Sequence, residues 1–305
     1  MIDLSHLPTS NRFYKEVFYP NSTVSGGAWY TWQKPRGINY IYIIAAGGGG
    51  GGAAGAVGAN GALGGGGGGA PHSARNIFLA SALPDILYFS VGHGGAGGTT
   101  SAAAGSVGID TYVATFYGTT NLASILYSLT GGSGGTTGTG GTARVESGLA
   151  SFNLIGNSFA GFGQNSNTQG RAGTNAGTSL DIIAANGDKS INPGTGGGTL
   201  PASLFATGGS YTATNGTFGP VFPSHLGGQT SDANGTDGYQ VPGLFYFYGG
   251  TGAASGTAST VSSSGRRGGN GAPGCGGGGG GAAFTGSTVG AGGNGGPGYV
   301  VIIGW

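Results

Sequence analysis

Charge is scarce in this sequence: only 6% of residues are Asp, Glu, Lys or Arg, and 10 basic against 9 acidic side chains leave a net charge of +1. A nucleic-acid binder needs a basic face to neutralise phosphates, so that class is excluded. Cysteine occurs once, as Cys275, which rules out an internal disulfide and leaves a buried small residue as its expected role. The first residues carry no apolar core of a signal peptide, and no run of about 18–20 apolar residues, glycine aside, could cross a bilayer. We expect neither a secretory signal nor membrane insertion. A protein of this composition would then reach the cell exterior by lysis, which points to a virus.

Catalytic motifs are also missing. A phosphate-cradling loop needs Gly-Lys-Ser or Gly-Lys-Thr, and neither occurs. His6, His72, His93 and His225 are dispersed, outside any metal-ligand or nucleophile spacing. Asp181, Asp188, Asp232 and Asp237 could supply a carboxylate pair for glycan cleavage, but sequence spacing does not set the separation that two such acids need. The expectation is no enzyme, no cofactor and no metal, with a glycan depolymerase as the weaker alternative.

What the chain does have is glycine, 77 residues in 305, against about 7% in an ordinary protein. Collagen would require Gly at every third position and abundant Pro, whereas the runs here are contiguous, as at 47–52, and Pro totals 12. A disordered linker would be poor in aromatics, yet this chain has 14 Tyr, 14 Phe and 3 Trp. Ordering glycine costs roughly 1–2 kcal/mol of backbone entropy per residue with no side chain to offset it, so backbone hydrogen bonds must hold these segments. A bundle of extended threefold helices of the polyglycine-II type provides them, since rods without Cβ atoms can bond side by side through N–H and C=O groups that the isolated helix leaves open.

The order of segments suggests one core. Residues 1–27 concentrate charge and aromatics and read as an attachment segment or an edge element, with Phe13, Tyr14, Phe18 and Tyr19 as the candidate docking side chains. Residues 28–305 read as a single glycine-rich β domain, its scaffold drawn from 28–120 and 265–305 around an inserted, loop-rich region at 121–264. Runs at 29–32 and 38–44 flank Lys34-Pro35-Arg36-Gly37 and predict a β-hairpin. Strands are predicted at 86–91, 111–116 and 299–303, a turn near 59–61 between two glycine rods, and a modest helix candidate at 121–129. No repeat of fixed period is evident. The fold class expected is all-β and irregular, a strand scaffold with a glycine-rich core and almost no helix. In the middle region, Leu244-Phe245-Tyr246-Phe247-Tyr248 would alternate along a strand, and Tyr246 and Tyr248, with Tyr239 nearby, are the candidate receptor contacts. Arg266 and Arg267 read as solvated surface charges.

Trp32-Gln33-Lys34-Pro35, the strand running into polyglycine at 41–52, the turn Val91-Gly92-His93-Gly94-Gly95 and the ending Gly295-Gly296-Pro297-Gly298-Tyr299-Val300-Val301-Ile302 together resemble a family of glycine-rich domain proteins common in bacteriophage tail and tail-fibre modules. The likeness covers about residues 27–120 and 265–305. It implies a β-structured cap on glycine-rich segments, and for some members an adhesin whose rods carry receptor-binding loops. On that resemblance we expect a virion protein exposed on the phage particle, a tail-fibre or tail-tip adhesin. Its expected partners are other virion proteins at the N-terminal segment, a host glycan or outer-membrane protein at the loops, and further copies of itself. The alternative is a purely structural subunit, such as a capsid decoration or fibre protein.

Overall fold

The computed structural model describes residues 14–21, 28–59, 61–118, 125–142, 172–178, 180–181, 192–201, 205–212, 226–230, 233–240, 249–256 and 263–305. Two four-stranded antiparallel sheets face one another. The first runs in the order β1 (Tyr14–Phe18), β12 (Tyr299–Gly304), β3 (Tyr40–Ala46), β5 (Ser73–Leu79); the second in the order β2 (Trp29–Gln33), β6 (Ile86–Ser90), β7 (Thr111–Ala114), β8 (Ile125–Leu129). The short strands β4 (Val57–Gly58), β9 (Leu180–Asp181), β10 (Tyr211–Thr212) and β11 (Ala283–Phe284) form two parallel pairs, β4 with β11 and β9 with β10. The only helical turn among the described residues is the 3-10 turn Ala80–Ala82. The chain is all-β, as its sequence leads one to expect.

Alternation builds the sandwich. Ile41, Ile43, Val300 and Ile302 of the first sheet meet Trp32, Leu87, Phe89, Val113, Tyr127 and Leu129 of the second in one buried cluster. Aromatic pairs close both open sides. Trp32 Nε1 donates to Tyr14 Oη at 3.1 Å, and Phe18 packs on Tyr30 and Phe89; opposite, Asn76 Nδ2 donates to Tyr127 Oη at 2.9 Å with Phe78 against the Tyr127 ring. Burial raises the Tyr127 pKa, so that hydroxyl stays neutral.

Several local expectations are corrected. Strands β2 and β3 are not a hairpin; the Lys34–Gly37 turn carries the chain from one sheet to the other. Lys34 Nζ holds it there by donating to the carbonyls of Ala80 (2.9 Å) and Leu83 (2.7 Å) beside Asp85 (3.0 Å). The helix candidate at 121–129 contains β8, because Ile125, Leu126 and Leu129 complete the second sheet. Residues 92–95 form no turn and start a rod.

Every long strand of the sandwich except β1 and β2 continues directly into a glycine segment. Rods are numbered along the chain: rod 1 (47–56) leaves β3, rod 2 (63–72) returns into β5, rod 3 (92–98) leaves β6, rod 4 (103–110) returns into β7, rod 5 (130–136) leaves β8. Rod 6 (192–200), rod 7 (233–238), rod 8 (249–256), rod 9 (265–271) and rod 10 (275–283) follow, and rod 11 (290–298) returns into β12. At about 3.1 Å per residue a ten-residue rod extends about 30 Å beyond the sheets.

Candidate functional site

Rod 1 shows why the bundle is rigid. Its N–H groups point in three directions in strict rotation. Gly47, Gly50, Ala53 and Ala56 donate to His72, Gly69, Gly66 and Leu63 on rod 2; Gly48, Gly51 and Ala54 to Ile109, Ser106 and Ala103 on rod 4; Gly49, Gly52 and Gly55 to Gly296, Gly293 and Gly290 on rod 11. Its carbonyls accept from Gly95 and Gly98 of rod 3, Gly132 and Gly135 of rod 5, and Gly277, Gly280 and Ala283 of rod 10. This is a threefold helix with six neighbours. The partner numbering falls along rods 2, 4 and 11 and rises along rods 3, 5 and 10, so rod 1 donates to returning rods and accepts from outgoing ones. For rods 1 to 5 and 11 the direction is set by the strand that each joins.

The close approach requires glycine. A Cβ at Gly50 would lie well inside van der Waals contact of the Ser133 carbonyl, and one at Gly278 inside that of Thr251. Both obstacles are backbone. Rod 10 repeats the geometry with donors to rods 1, 6 and 9 and acceptors for rods 2, 8 and 11. Its first residue, Cys275, is fully buried, and burial pushes its thiol up to about 12 even though the Asn192 N–H, 3.4 Å from Sγ, partly opposes the shift. That thiol is chemically quiet, as expected for a buried small residue.

Peripheral rods follow a rule that reading the sequence alone missed. Uninterrupted glycine marks rods 1, 2 and 10, which are surrounded along most of their length, whereas rods 3, 5 and 11, each with one face in solvent, read Gly-Gly-X. Examples are His93-Gly94-Gly95-Ala96-Gly97-Gly98-Thr99, Thr130-Gly131-Gly132-Ser133-Gly134-Gly135-Thr136 and Ala291-Gly292-Gly293-Asn294-Gly295-Gly296-Pro297. The third position is where exposure recurs, as at Ala96, Thr99, Thr136 and Asn294. The period of three is thus present but confined to these segments. Within the expected insertion at 121–264 the described residues include β8 and rods 5, 6, 7 and 8, which bond to the rest of the lattice.

The molecule has two distinct poles. Strands β1 and β12 pair Tyr14 with Gly304 and Phe18 with Val300, and β12 runs away from rod 11. Residue 14 and Trp305 therefore lie at the sandwich pole, far from the rod tips. At the opposite pole the turns between rods are joined to one another. Val57 N–H donates to Ser101 Oγ (3.1 Å), Thr137 Oγ1 to the Ala102 carbonyl (3.0 Å), Ala102 N–H to Gly55 (3.0 Å), Gly61 N–H to Leu200 (2.9 Å) and Ala176 N–H to Gly138 (3.2 Å). Gly61 takes a φ of 91° to make the expected turn near 59–61. The turns at 57–62, 99–102, 136–138, 175–178 and 284–289 contain no Asp, Glu, Lys or Arg. They present hydroxyls, with Val57 and Leu63 exposed among them.

Residues singled out from sequence fall elsewhere. Tyr14 and Phe18 point into the sandwich core and β1 is an edge strand of the first sheet; Tyr19 is exposed, its carbonyl accepting from the Tyr30 hydroxyl. Tyr239 is half-buried beyond rod 7, which runs toward the sandwich, and burial raises its pKa. Phe13, Tyr246, Tyr248, His6, His225, Asp188 and Asp232 lie outside the described residues. Asp181 sits in β9. Asp237 accepts the Asn270 N–H at 2.7 Å and stands 3.5 Å from the Arg267 guanidinium. His72 Nδ1 is 3.0 Å from Thr130 Oγ1 at a strand–rod junction. Among the described residues no group of three His, Cys, Asp or Glu side chains could hold a metal, and no helix is long and apolar enough to cross a membrane.

Comparison with curated proteins returns no match. A family model described as a glycine-rich domain matches residues 23–304, nearly the whole length of the 305-residue chain, and the chain belongs to that family.

Proposed function

We propose that this chain is a bacteriophage virion protein, a tail-fibre or tail-tip adhesin, anchored at its sandwich pole and meeting the host surface with its rod tips. The observation that carries this reading is polarity. The strands at both ends of the chain share one pole, and a rigid lattice holds a plate of hydrogen-bonded turns at the other. Such a plate needs little further ordering on contact, so little entropy opposes binding. Many weak contacts from several copies on a particle would add to firm adhesion. With no charged side chain in those turns, a neutral glycan or the uncharged loop surface of an outer-membrane protein fits best, and adsorption should depend little on salt.

The test is competition between purified protein and intact phage for host cells, beside a variant carrying Leu63→Lys and Thr100→Lys at the tip. Blocking of phage adsorption that the variant loses supports the adhesin. Absence of binding, even in multivalent display, moves the protein to the structural-subunit reading.

A further inference from the structure

The outermost rods share Asn and Asp side chains that accept backbone N–H groups of neighbouring rods, whereas side-chain acceptors of the interior include hydroxyls, as where Thr195 Oγ1 accepts the Gly252 N–H at 2.8 Å. Asn294 Oδ1 on rod 11 accepts the Gly97 N–H of rod 3 at 2.9 Å; Asn270 Oδ1 on rod 9 accepts the Asn294 N–H at 3.0 Å; Asp237 Oδ1 on rod 7 accepts the Asn270 N–H at 2.7 Å. The three side chains form a relay across four adjacent rods at one level. The pattern recurs at Asn234, which accepts the Arg267 N–H at 3.0 Å, at Asn175 for Gly140 (3.0 Å) and at Asp110 for Gly131 (2.9 Å).

Along the interior rods 1 and 10 each such N–H meets a backbone carbonyl. On the flank no next rod lies among the described residues, and an outward row of backbone donors every third residue would match the carbonyls of any further glycine helix. The situation is that of an edge strand, whose open ladder recruits another chain unless it is blocked. We propose that these Asn and Asp side chains terminate the lattice. By occupying outward donors on rods 3, 9 and 11 they keep a second copy of this chain from adding its own glycine rods laterally. Asn and Asp suit the task because their short side chains reach a neighbouring backbone N–H from a position that still accepts an extended backbone.

The experiment is removal of two terminators by Asn270→Gly with Asn294→Gly, a change the rod geometry tolerates because glycine fills no space. Asn270→Asp with Asn294→Asp keeps both acceptor oxygens and serves as the conservative control. Hydrogen exchange at the Gly97 and Asn294 amides should accelerate at least tenfold in the glycine variant and not in the control. Light scattering over a concentration series should show the glycine variant gaining mass while the native chain and the control keep theirs. Faster exchange without added association, or unchanged exchange, overturns the proposal. If the double variant does not fold, Asn294→Gly alone gives the same two readings, exchange at the Gly97 amide and mass, at the relay's end bridge.

Discussion

Rods 1 and 3 lie side by side with the same backbone geometry, yet their sequences obey different rules. Rod 1 is buried along nearly its whole length and admits only Gly and Ala; rod 3 carries His93 and Ala96 three residues apart, with Thr99 continuing the interval just past its end. The difference is one of neighbours. Rod 1, with six neighbouring rods, leaves no direction in which a larger side chain can point, whereas rod 3 at the rim has one, visited every third residue. Unbroken glycine, as in rods 1, 2 and 10, therefore marks buried backbone in this fold, reversing the usual association of glycine with exposed turns.

The largest expected effect breaks the interior. Gly50→Ala drives a Cβ into the Ser133 carbonyl, an obstacle of backbone, so rods 1 and 5 must separate and several inter-rod hydrogen bonds weaken together. We expect a loss of about 3 kcal/mol or more, read as a fall in the midpoint of urea unfolding or as failure to fold. A cost under about 1 kcal/mol would mean that the lattice yields easily and that glycine is not required by packing.

Next comes a pH effect tied to the interior rod 10. The Cys275 pKa is raised from 9.0 to about 12 by burial. The unfolded thiol loses its proton first, so above pH 9 the unfolded chain gains stability and the native state loses it until the folded thiol also ionises near 12. The slope is about 1.4 kcal/mol per pH unit from this group. Cys275→Ala should remove it, so that native and variant urea midpoints, compared at pH 8 and pH 10.5, converge as pH rises. Parallel decline would show that the thiol is not shielded. Tyr14 and Tyr112, each also raised to about 12, add the same sign in both proteins.

At the rim the effects shrink. Asn175→Ala removes the acceptor of the Gly140 N–H, but Asn175 is exposed and water can replace the lost oxygen, so about 0.5–1 kcal/mol is expected by thermal unfolding.

The two regions also differ in how far their sequences can be read. Apolar runs at 86–91 and 299–303 announce their strands because burial on the sandwich imposes β-branched and aromatic residues. Strand β5 was not legible, since Arg75 and Asn76 interrupt its apolar pattern, and Asn76 is buried only because Tyr127 supplies its partner across the sheets. The β2–β3 connection misleads because a turn that crosses between sheets uses the same Pro and Gly signals as one that folds a hairpin. The directions of rods 1 to 5 and 11 follow from strand order and so become visible only once the sheets are known. The candidate surface was the least legible: the tip is made of Thr, Ser, Gly and Ala turns contributed by segments far apart in the chain, whereas aromatic clusters drew attention to Tyr246 and Tyr248, outside the described residues.

The finest test of the comparison is Ala96→Ser on rod 3, set against Gly50→Ala on rod 1. Both changes enlarge a rod residue. At residue 96 the side chain already points to solvent, and the inter-rod bond there is made by backbone, Ser106 N–H to the Ala96 carbonyl at 2.8 Å. An added hydroxyl meets water and disturbs neither that bond nor its neighbours, so stability should move by less than about 0.5 kcal/mol. A loss approaching that of Gly50→Ala would show that the third position is not free, and the distinction between interior and rim rods would then fail at the rod where it is most clearly drawn.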